Sequence, residues 1–110
     1  MAGLRNALRK ATRQAVTVGY GPRFLHSTGQ LHKGDGGRGL FIQLCANASI
    51  DIGIPDATGA AKSTMSFDVL KQAQMLGDAE ALRAAGRKVL RFELGTDAVA
   101  SIKRLAGILA

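Results

Sequence analysis

Apolar residues recur at helical spacing near both ends of the chain. One stripe, at spacings of i, i+3, i+4 and i+7, predicts a helix over residues 3–14. A second stripe predicts a last helix that begins at Thr96 or Asp97. The first stripe consists of Leu4, Ala7, Leu8, Ala11 and Ala15, and the second of Val99, Ile102, Leu105, Ala106 and Leu109.

Three short apolar runs between these helices, at residues 15–19, 40–46 and 89–94, predict strands. A short helix is predicted over 24–33. Two more are predicted over 67–76 and 79–85, because Ser66 and Asp78 suit N-caps and glycines follow both segments. Strands that alternate with helices indicate an α/β fold. We therefore expect one domain over residues 1–110, a partial three-layer arrangement of a parallel sheet flanked by helices.

The predicted sheet is thin, and its connections are unusual. Three short strands leave edges that need covering, so we expect the chain to belong to a larger protein. Residues 33–39 form a glycine-rich loop that resembles a phosphate-binding loop in composition, but it lacks the Walker A order, and a flexible turn is the favoured interpretation. Residues 47–66 form a long connection, and loops of this length are usually functional or mobile.

The charge balance is strongly basic, with a formal net charge of +7 at pH 7. A nucleic acid, a phosphorylated small molecule, or simply a solvated basic face would each account for it. No run of five like charges occurs, which makes nucleic acid the less favoured partner.

The single cysteine and the absence of a long apolar stretch in the sequence indicate in which cellular compartment the protein is expected. Cys45 is the single cysteine and lies in an apolar run, which predicts a buried, inert thiol and fits a reducing cytoplasm. No apolar stretch reaches the roughly 18 residues that span a membrane, and no secretory signal follows the charged N-terminus. We therefore expect a cytoplasmic protein with no membrane partner.

The residues with the most chemical potential lie between Gly19 and Gly34. His26 has an ordinary pKa close to neutrality, and Gln30 lies one helical turn further on, so the two would share a face beside Ser27. His26 is thus a candidate general acid/base, although a histidine that only satisfies local backbone groups is the more frequent case. Two histidines and one distant cysteine give no ligand set, so no metal is expected. Lys71 most simply reads as a solvated helix charge.

The segment that runs Gly-Tyr-Gly-Pro-Arg-Phe-Leu-His-Ser-Thr-Gly-Gln-Leu-His-Lys-Gly, residues 19–34, closely resembles the C-terminal part of bacterial bifunctional transaldolase/glucose-6-phosphate isomerases. Softer similarities are the basic first helix, the Phe-Ile-Gln-Leu run at 41–44, the connection at 51–55 and the block at 67–78. The His-Ser-x-x-Gln-Leu pattern that starts at His26 is similar to glucose-6-phosphate isomerases more broadly.

This resemblance implies a sugar-isomerase (SIS-like) subdomain that interconverts glucose 6-phosphate and fructose 6-phosphate through a cis-enediol, without a cofactor or metal. It assigns ring opening of the sugar to His26, with Ser27 and Gln30 shaping the site. Other isomerases of the family contribute a C-terminal lysine, for which Lys71 is the candidate here. The chain departs from the family's usual Lys-Gly-Gly-Pro-Asn-Thr-Gly loop at residues 33–39, and carries extra small residues at 57–62.

The resemblance also implies what is missing. The glutamate base, the phosphate-binding loop and the transaldolase barrel lie upstream of the matching region in that family. The leading hypothesis is therefore a C-terminal isomerase segment that is inactive in isolation, with a sugar phosphate and the rest of such a polypeptide as partners and a homo-oligomer as a further option. The alternative is a non-catalytic module that binds phosphosugars or other anions through a basic surface.

Overall fold

The computed structural model describes residues 1–23 and 27–110. These residues form four helices and four strands. The helices are α1 (Ala2–Thr12), α2 (Thr28–Gly34), α3 (Phe67–Ala84) and α4 (Ala98–Ile108), and the strands are β1 (Leu40–Cys45), β2 (Gly53–Ile54), β3 (Met65–Ser66) and β4 (Lys88–Glu93). Their order along the chain is α1, α2, β1, β2, β3, α3, β4, α4.

A parallel pair of strands forms the centre of the fold. β1 and β4 pair in parallel from Leu40 opposite Lys88 to Cys45 opposite Glu93, and α3 lies between them in the chain. This β-α-β arrangement confirms an α/β class with a small parallel sheet flanked by helices. The connection from β1 to α3 is not wholly irregular, because β2 and β3 form a short antiparallel ribbon in it.

The strand predicted over residues 15–19 does not form. In the described part of the chain the parallel sheet contains β1 and β4 alone, and residues 15–19 lie outside every helix and strand. Valine and threonine favour a strand through packing against neighbouring strands, so their preference has no effect where no ladder is present. The prediction of a three-stranded sheet was therefore wrong by one strand.

The two helices predicted between Ser66 and Gly86 are one continuous helix, α3. Gly77 is exposed, and a glycine inside a helix costs only about 1 kcal/mol relative to alanine. Asp78 does not act as an N-cap. Its side chain is buried and pairs with Lys33 of α2, with Nζ and Oδ1 3.2 Å apart, so the residue that was predicted to start a new helix instead joins α3 to α2.

Helix α3 covers one face of the sheet, and α1 and α4 pack against each other. Gln43 Nε2 donates to Met75 O at 2.9 Å, which places α3 over the side of β1 that carries Gln43. Helix α4 begins as predicted, since the Asp97 side chain accepts from Ala100 N at 2.9 Å. The hydroxyl of Ser101 donates to Leu94 O at 2.8 Å and ties α4 to the end of β4.

At the amino edge of the sheet, the glycine-rich loop is held by Arg87. The Arg87 guanidinium donates to the carbonyl oxygens of His32, Lys33 and Asp35 at 2.7–3.1 Å. Its Nε also lies 2.7 Å from Asp35 Oδ1, and its side chain is only 10% exposed. The loop that the sequence predicted to be a flexible turn is thus attached at several points to the residue that precedes β4.

The hydrophobic core is small. The buried apolar residues among those described are Leu4, Cys45, Ala79, Leu82 and Leu94. The accessible surface is 7994 Å², whereas a compact monomer of 11.5 kDa exposes about 5,800 Å². The radius of gyration is 16.2 Å against about 13 Å for a compact chain of this length. Within residues 1–23 and 27–110, no helix combines the length and hydropathy that a bilayer crossing requires.

Candidate active site

The candidate site lies where β1 ends and α3 begins. In parallel α/β folds, ligands bind outside the carboxyl ends of the strands. Ser66 starts α3 as its N-cap, accepting from Val69 N at 3.2 Å. Lys71 follows in the second turn of the helix, so the helix carries the ammonium group to this edge of the sheet.

Two groups on different elements hold the Lys71 ammonium. Nζ lies 2.6 Å from Asp68 Oδ1, one turn earlier on α3, and it donates to Ala46 O at 3.2 Å. Ala46 directly follows β1, so the second bond fixes the ammonium relative to the sheet. An ammonium group carries three N–H donors, which leaves one for a ligand, and the side chain is 39% exposed.

Asp51 lies beside this pair and organises the first turn of α3. Its Oδ1 accepts from Asp68 N and from Ile52 N, each at 2.9 Å. A hydrogen bond from the Ser66 side chain, followed by the one from Asp68 N, holds the pKa of Asp51 below its ordinary value of 3.8. The Asp51 carboxylate is therefore ionised at neutral pH and supports the backbone that carries Asp68.

An open cavity of about 260 Å³ lies over these residues. Its charged lining is Asp51, Asp68 and Lys71, and its remaining lining is Ala48, Ile50, Ile52 and Phe67. Ile50 and Phe67 are 80% and 59% exposed, so the apolar wall is open to solvent. The charged lining is net negative, with two carboxylates and one ammonium that is already paired with Asp68. This arrangement suits a ligand rich in hydroxyl groups: the ammonium donates to a hydroxyl or ring oxygen, and the carboxylates accept from O–H groups.

The other predicted site residues lie on or before α2. Ser27 is the N-cap residue of α2, without a side-chain capping bond, and both Ser27 and Gln30 are exposed. His26, the predicted ring-opening histidine, falls outside the described residues.

The contacts that position α2 come from its last turn, at the amino edge of the sheet. Lys33 pairs with Asp78, and the His32 ring packs against that of Phe41 with centroids 5.0 Å apart. Lys71 lies at the opposite, carboxyl edge. Among the described residues, no side-chain hydrogen bond or ion pair joins Ser27 or Gln30 to Lys71.

Reasoning from the sequence gave Asp51 and Asp68 no role in the site. Asp51 falls in the connection at 51–55 and Asp68 in the block at 67–78, and neither stood out by its own chemistry. A usable signal was present: Asp68 and Lys71 have the i, i+3 spacing of an ion pair on one helix face, directly after an N-cap serine. No spacing rule would have found Asp51, because it meets Asp68 from 17 residues away.

The geometry does not favour a metal at this site. Among residues 1–23 and 27–110, no three histidine, cysteine or carboxylate side chains are grouped closely enough to hold an ion. Cys45, one residue before Ala46, is buried, and its pKa is raised chiefly by that burial, as expected of an inert thiol. No family model, curated protein or solved structure matches this chain.

Proposed function

We propose that this chain is the C-terminal segment of a glucose-6-phosphate isomerase of the kind fused to transaldolase, with His26 as its ring-opening histidine, and that Lys71 contributes from the carboxyl edge of the sheet to a site completed by the rest of that enzyme. The observation that carries the proposal is the Lys71 ammonium, held at the carboxyl edge of β1 over an open cavity. The resemblance of residues 19–34 supplies the reaction class.

The chemistry assigns different tasks to the two residues. His26 would move the proton between the ring oxygen and the C1 hydroxyl, as the resemblance implies. Lys71 would donate its third N–H to an oxygen of the sugar phosphate. Ser27 and Gln30 would shape the sugar site around His26. The proton transfer between C1 and C2 belongs to a glutamate outside this chain, and no cofactor or metal is required.

The exposed surface also supports a segment of a larger enzyme. The accessible area exceeds that of a compact 11.5 kDa protein by about 2,200 Å², and large apolar residues on both sheet strands remain exposed. A domain that folds and acts alone normally buries such residues.

Complementation tests the proposal. A bacterial transaldolase/glucose-6-phosphate isomerase, truncated before the block that residues 19–34 resemble, would be mixed with this chain and assayed for fructose 6-phosphate conversion. We expect the chain to restore isomerase activity and to show none alone. His26→Ala and Lys71→Met should abolish the restoration, whereas Lys103→Met on the exposed side of α4 should leave it unchanged.

Two results would reject this function. One is robust isomerase activity of the isolated chain, because the base would then lie within it. The other is restoration that survives both His26→Ala and Lys71→Met at the level of Lys103→Met.

A second candidate, an anion-binding module, is favoured by one observation. Helices α1 and α4 pack together and carry five cationic residues and no carboxylate within their bounds. The five are Arg5, Arg9, Lys10, Lys103 and Arg104; Arg13 is the C-cap of α1, and Asp97 is the N-cap of α4. Binding to a random-sequence duplex that weakens steeply with salt, without any sugar-phosphate binding, would favour this candidate over the isomerase segment.

A further inference from the structure

The outer edge of β1 is an unpaired strand edge. β1 pairs with β4 on one side. Among the described residues, no hydrogen bond reaches the backbone of β1 from the other side. A strand in a sheet alternates its N–H and C=O groups between its two sides, so the outer groups of β1 have no partner within residues 1–23 and 27–110. Such an edge is a template for another strand.

The two edges of this sheet differ in charge. β4 carries Lys88, Arg91 and Glu93, which discourage the addition of a further strand. β1 has the sequence Leu-Phe-Ile-Gln-Leu-Cys and contains no charged residue. Its first residue, Leu40, is 55% exposed. Strand addition is therefore expected at β1 and disfavoured at β4.

We propose that β1 pairs with β1 of a second copy of this chain, in an antiparallel, two-fold symmetric dimer with a continuous four-stranded sheet. A two-fold axis perpendicular to the sheet keeps each face on its own side, so residues opposite each other must share a face. Centring the axis on Ile42 satisfies this condition: Ile42 meets its symmetry mate, Leu40 meets Leu44, and Phe41 meets Gln43.

Three observations favour a second copy as the occupant. The symmetric register pairs apolar side chains with apolar side chains on the face that also carries Leu90 and Phe92. That face is open to a partner, since Leu40 of β1 and Leu90 and Phe92 of β4 are 55%, 48% and 38% exposed. A two-stranded sheet is marginal by itself, and four strands remove that weakness. The inference does not depend on the isomerase proposal.

Sedimentation of the full chain over a range of concentrations measures the dimer directly. We expect a species of twice the 11.5 kDa chain mass at micromolar concentrations. Leu40→Lys should weaken the dimer by more than about tenfold, because it sets a charge against Leu44 of the other copy at an apolar contact. Leu40 is already more than half exposed, so this variant should fold like the parent chain, as checked by circular dichroism.

Disulfide trapping tests the register. In a Cys45→Ser background, Ile42→Cys would place two thiols across the two-fold axis at the Cα separation of an antiparallel pair, about 4.5–5.5 Å, and mild oxidation should link the copies. The matched control is Leu90→Cys in the same background. It lies on the same face but one strand further out on each side, so its two copies are about 14 Å apart and should stay unlinked.

Several outcomes would overturn the proposal. A monomer at all concentrations would do so, as would equal cross-linking of the Ile42→Cys and Leu90→Cys proteins. Protection of the Val16 to Val18 amides against hydrogen exchange in a monomer would show that residues 15–19 of the same chain occupy the β1 edge instead. None of these results bears on the complementation assay, so the two proposals fail independently.

Discussion

Removal of the Arg87 guanidinium should be the most damaging single change at the amino edge of the sheet. The guanidinium donates to the carbonyl oxygens of His32, Lys33, Asp35 and Ala85, at 2.7–3.1 Å. These bonds connect the end of α2 and the glycine-rich loop to the start of β4. Arg87→Ala would remove the donor from three partly buried carbonyl groups, those of His32, Lys33 and Ala85, and from the exposed carbonyl of Asp35.

The magnitude follows from the donors that are lost. A hydrogen bond from a charged donor contributes about 1.5–3 kcal/mol, but bonds to one group are far from additive, and the freed loop would be rehydrated. The Asp35 carboxylate is 36% exposed, so its ion pair adds little. We expect a loss of about 3 kcal/mol in the free energy of unfolding. With a urea m-value near 1.5 kcal/mol/M, the midpoint should fall by about 2 M.

Urea unfolding followed by circular dichroism measures this loss. Arg83→Ala, on the exposed side of α3, is the matched control and should change the free energy of unfolding by less than about 0.5 kcal/mol. Arg87→Lys keeps the charge but loses the planar fork, so it should fall between the two and remain measurable if Arg87→Ala does not fold. The reasoning is refuted if Arg87→Ala and Arg83→Ala are equally stable.

Four further expectations concern single residues. The hydrogen bond from Ser66 lowers the pKa of Asp51, so the stability that it contributes should be present above pH 3.8 and be lost as the pH falls further; Asp51→Asn should flatten this acid limb in unfolding measurements. Gly53→Ala should destabilise the chain by about 1–3 kcal/mol in thermal unfolding, because a Cβ would come within 2.6 Å of the Ser63 hydroxyl oxygen. Equal melting temperatures of this variant and the parent chain would contradict the close approach. Cys45, 2% exposed with a raised pKa, should react with a thiol reagent only as the chain unfolds in urea, and rapid reaction in buffer would argue against its burial. His26→Ala in a full-length relative should slow conversion of the ring-closed sugar much more than that of an open-chain one, and equal losses would remove the ring-opening assignment.

Local signals predicted most of the elements correctly. Periodicity located α1 and α4, and the apolar runs located β1 and β4 to within one residue. The errors arose where a residue's partner lies far away in the sequence. The strand expected over 15–19 had strand-forming residues but no ladder to join, and Asp78 had the local character of an N-cap but pairs with Lys33 from another helix.

The candidate site was predictable only in part, for the same physical reason. Lys71 could be singled out by resemblance, but its geometry depends on Ala46 O, which lies 25 residues away. Asp51 acts through two backbone N–H groups and a serine hydroxyl, and backbone contacts of this kind leave no residue pattern to find. The sequence therefore pointed to the Lys71 side chain but not to the backbone contacts that position it.

Backbone hydrogen bonds between the β1 and β4 segments continue beyond the ends of both strands. They connect the backbone at Gly95 to the segment that holds the Lys71 ammonium. Leu94 N donates to Cys45 O at 2.7 Å, and Asn47 N donates to Gly95 O at 3.3 Å. The carbonyl that receives Lys71 belongs to Ala46, between these two bonds. Gly95 has a φ of +68°, a conformation that other residues adopt only with strain. Gly95 does not line the cavity. A side chain at this position would nevertheless displace the Lys71 ammonium, because it would shift the backbone that carries Ala46 O, to which Lys71 donates.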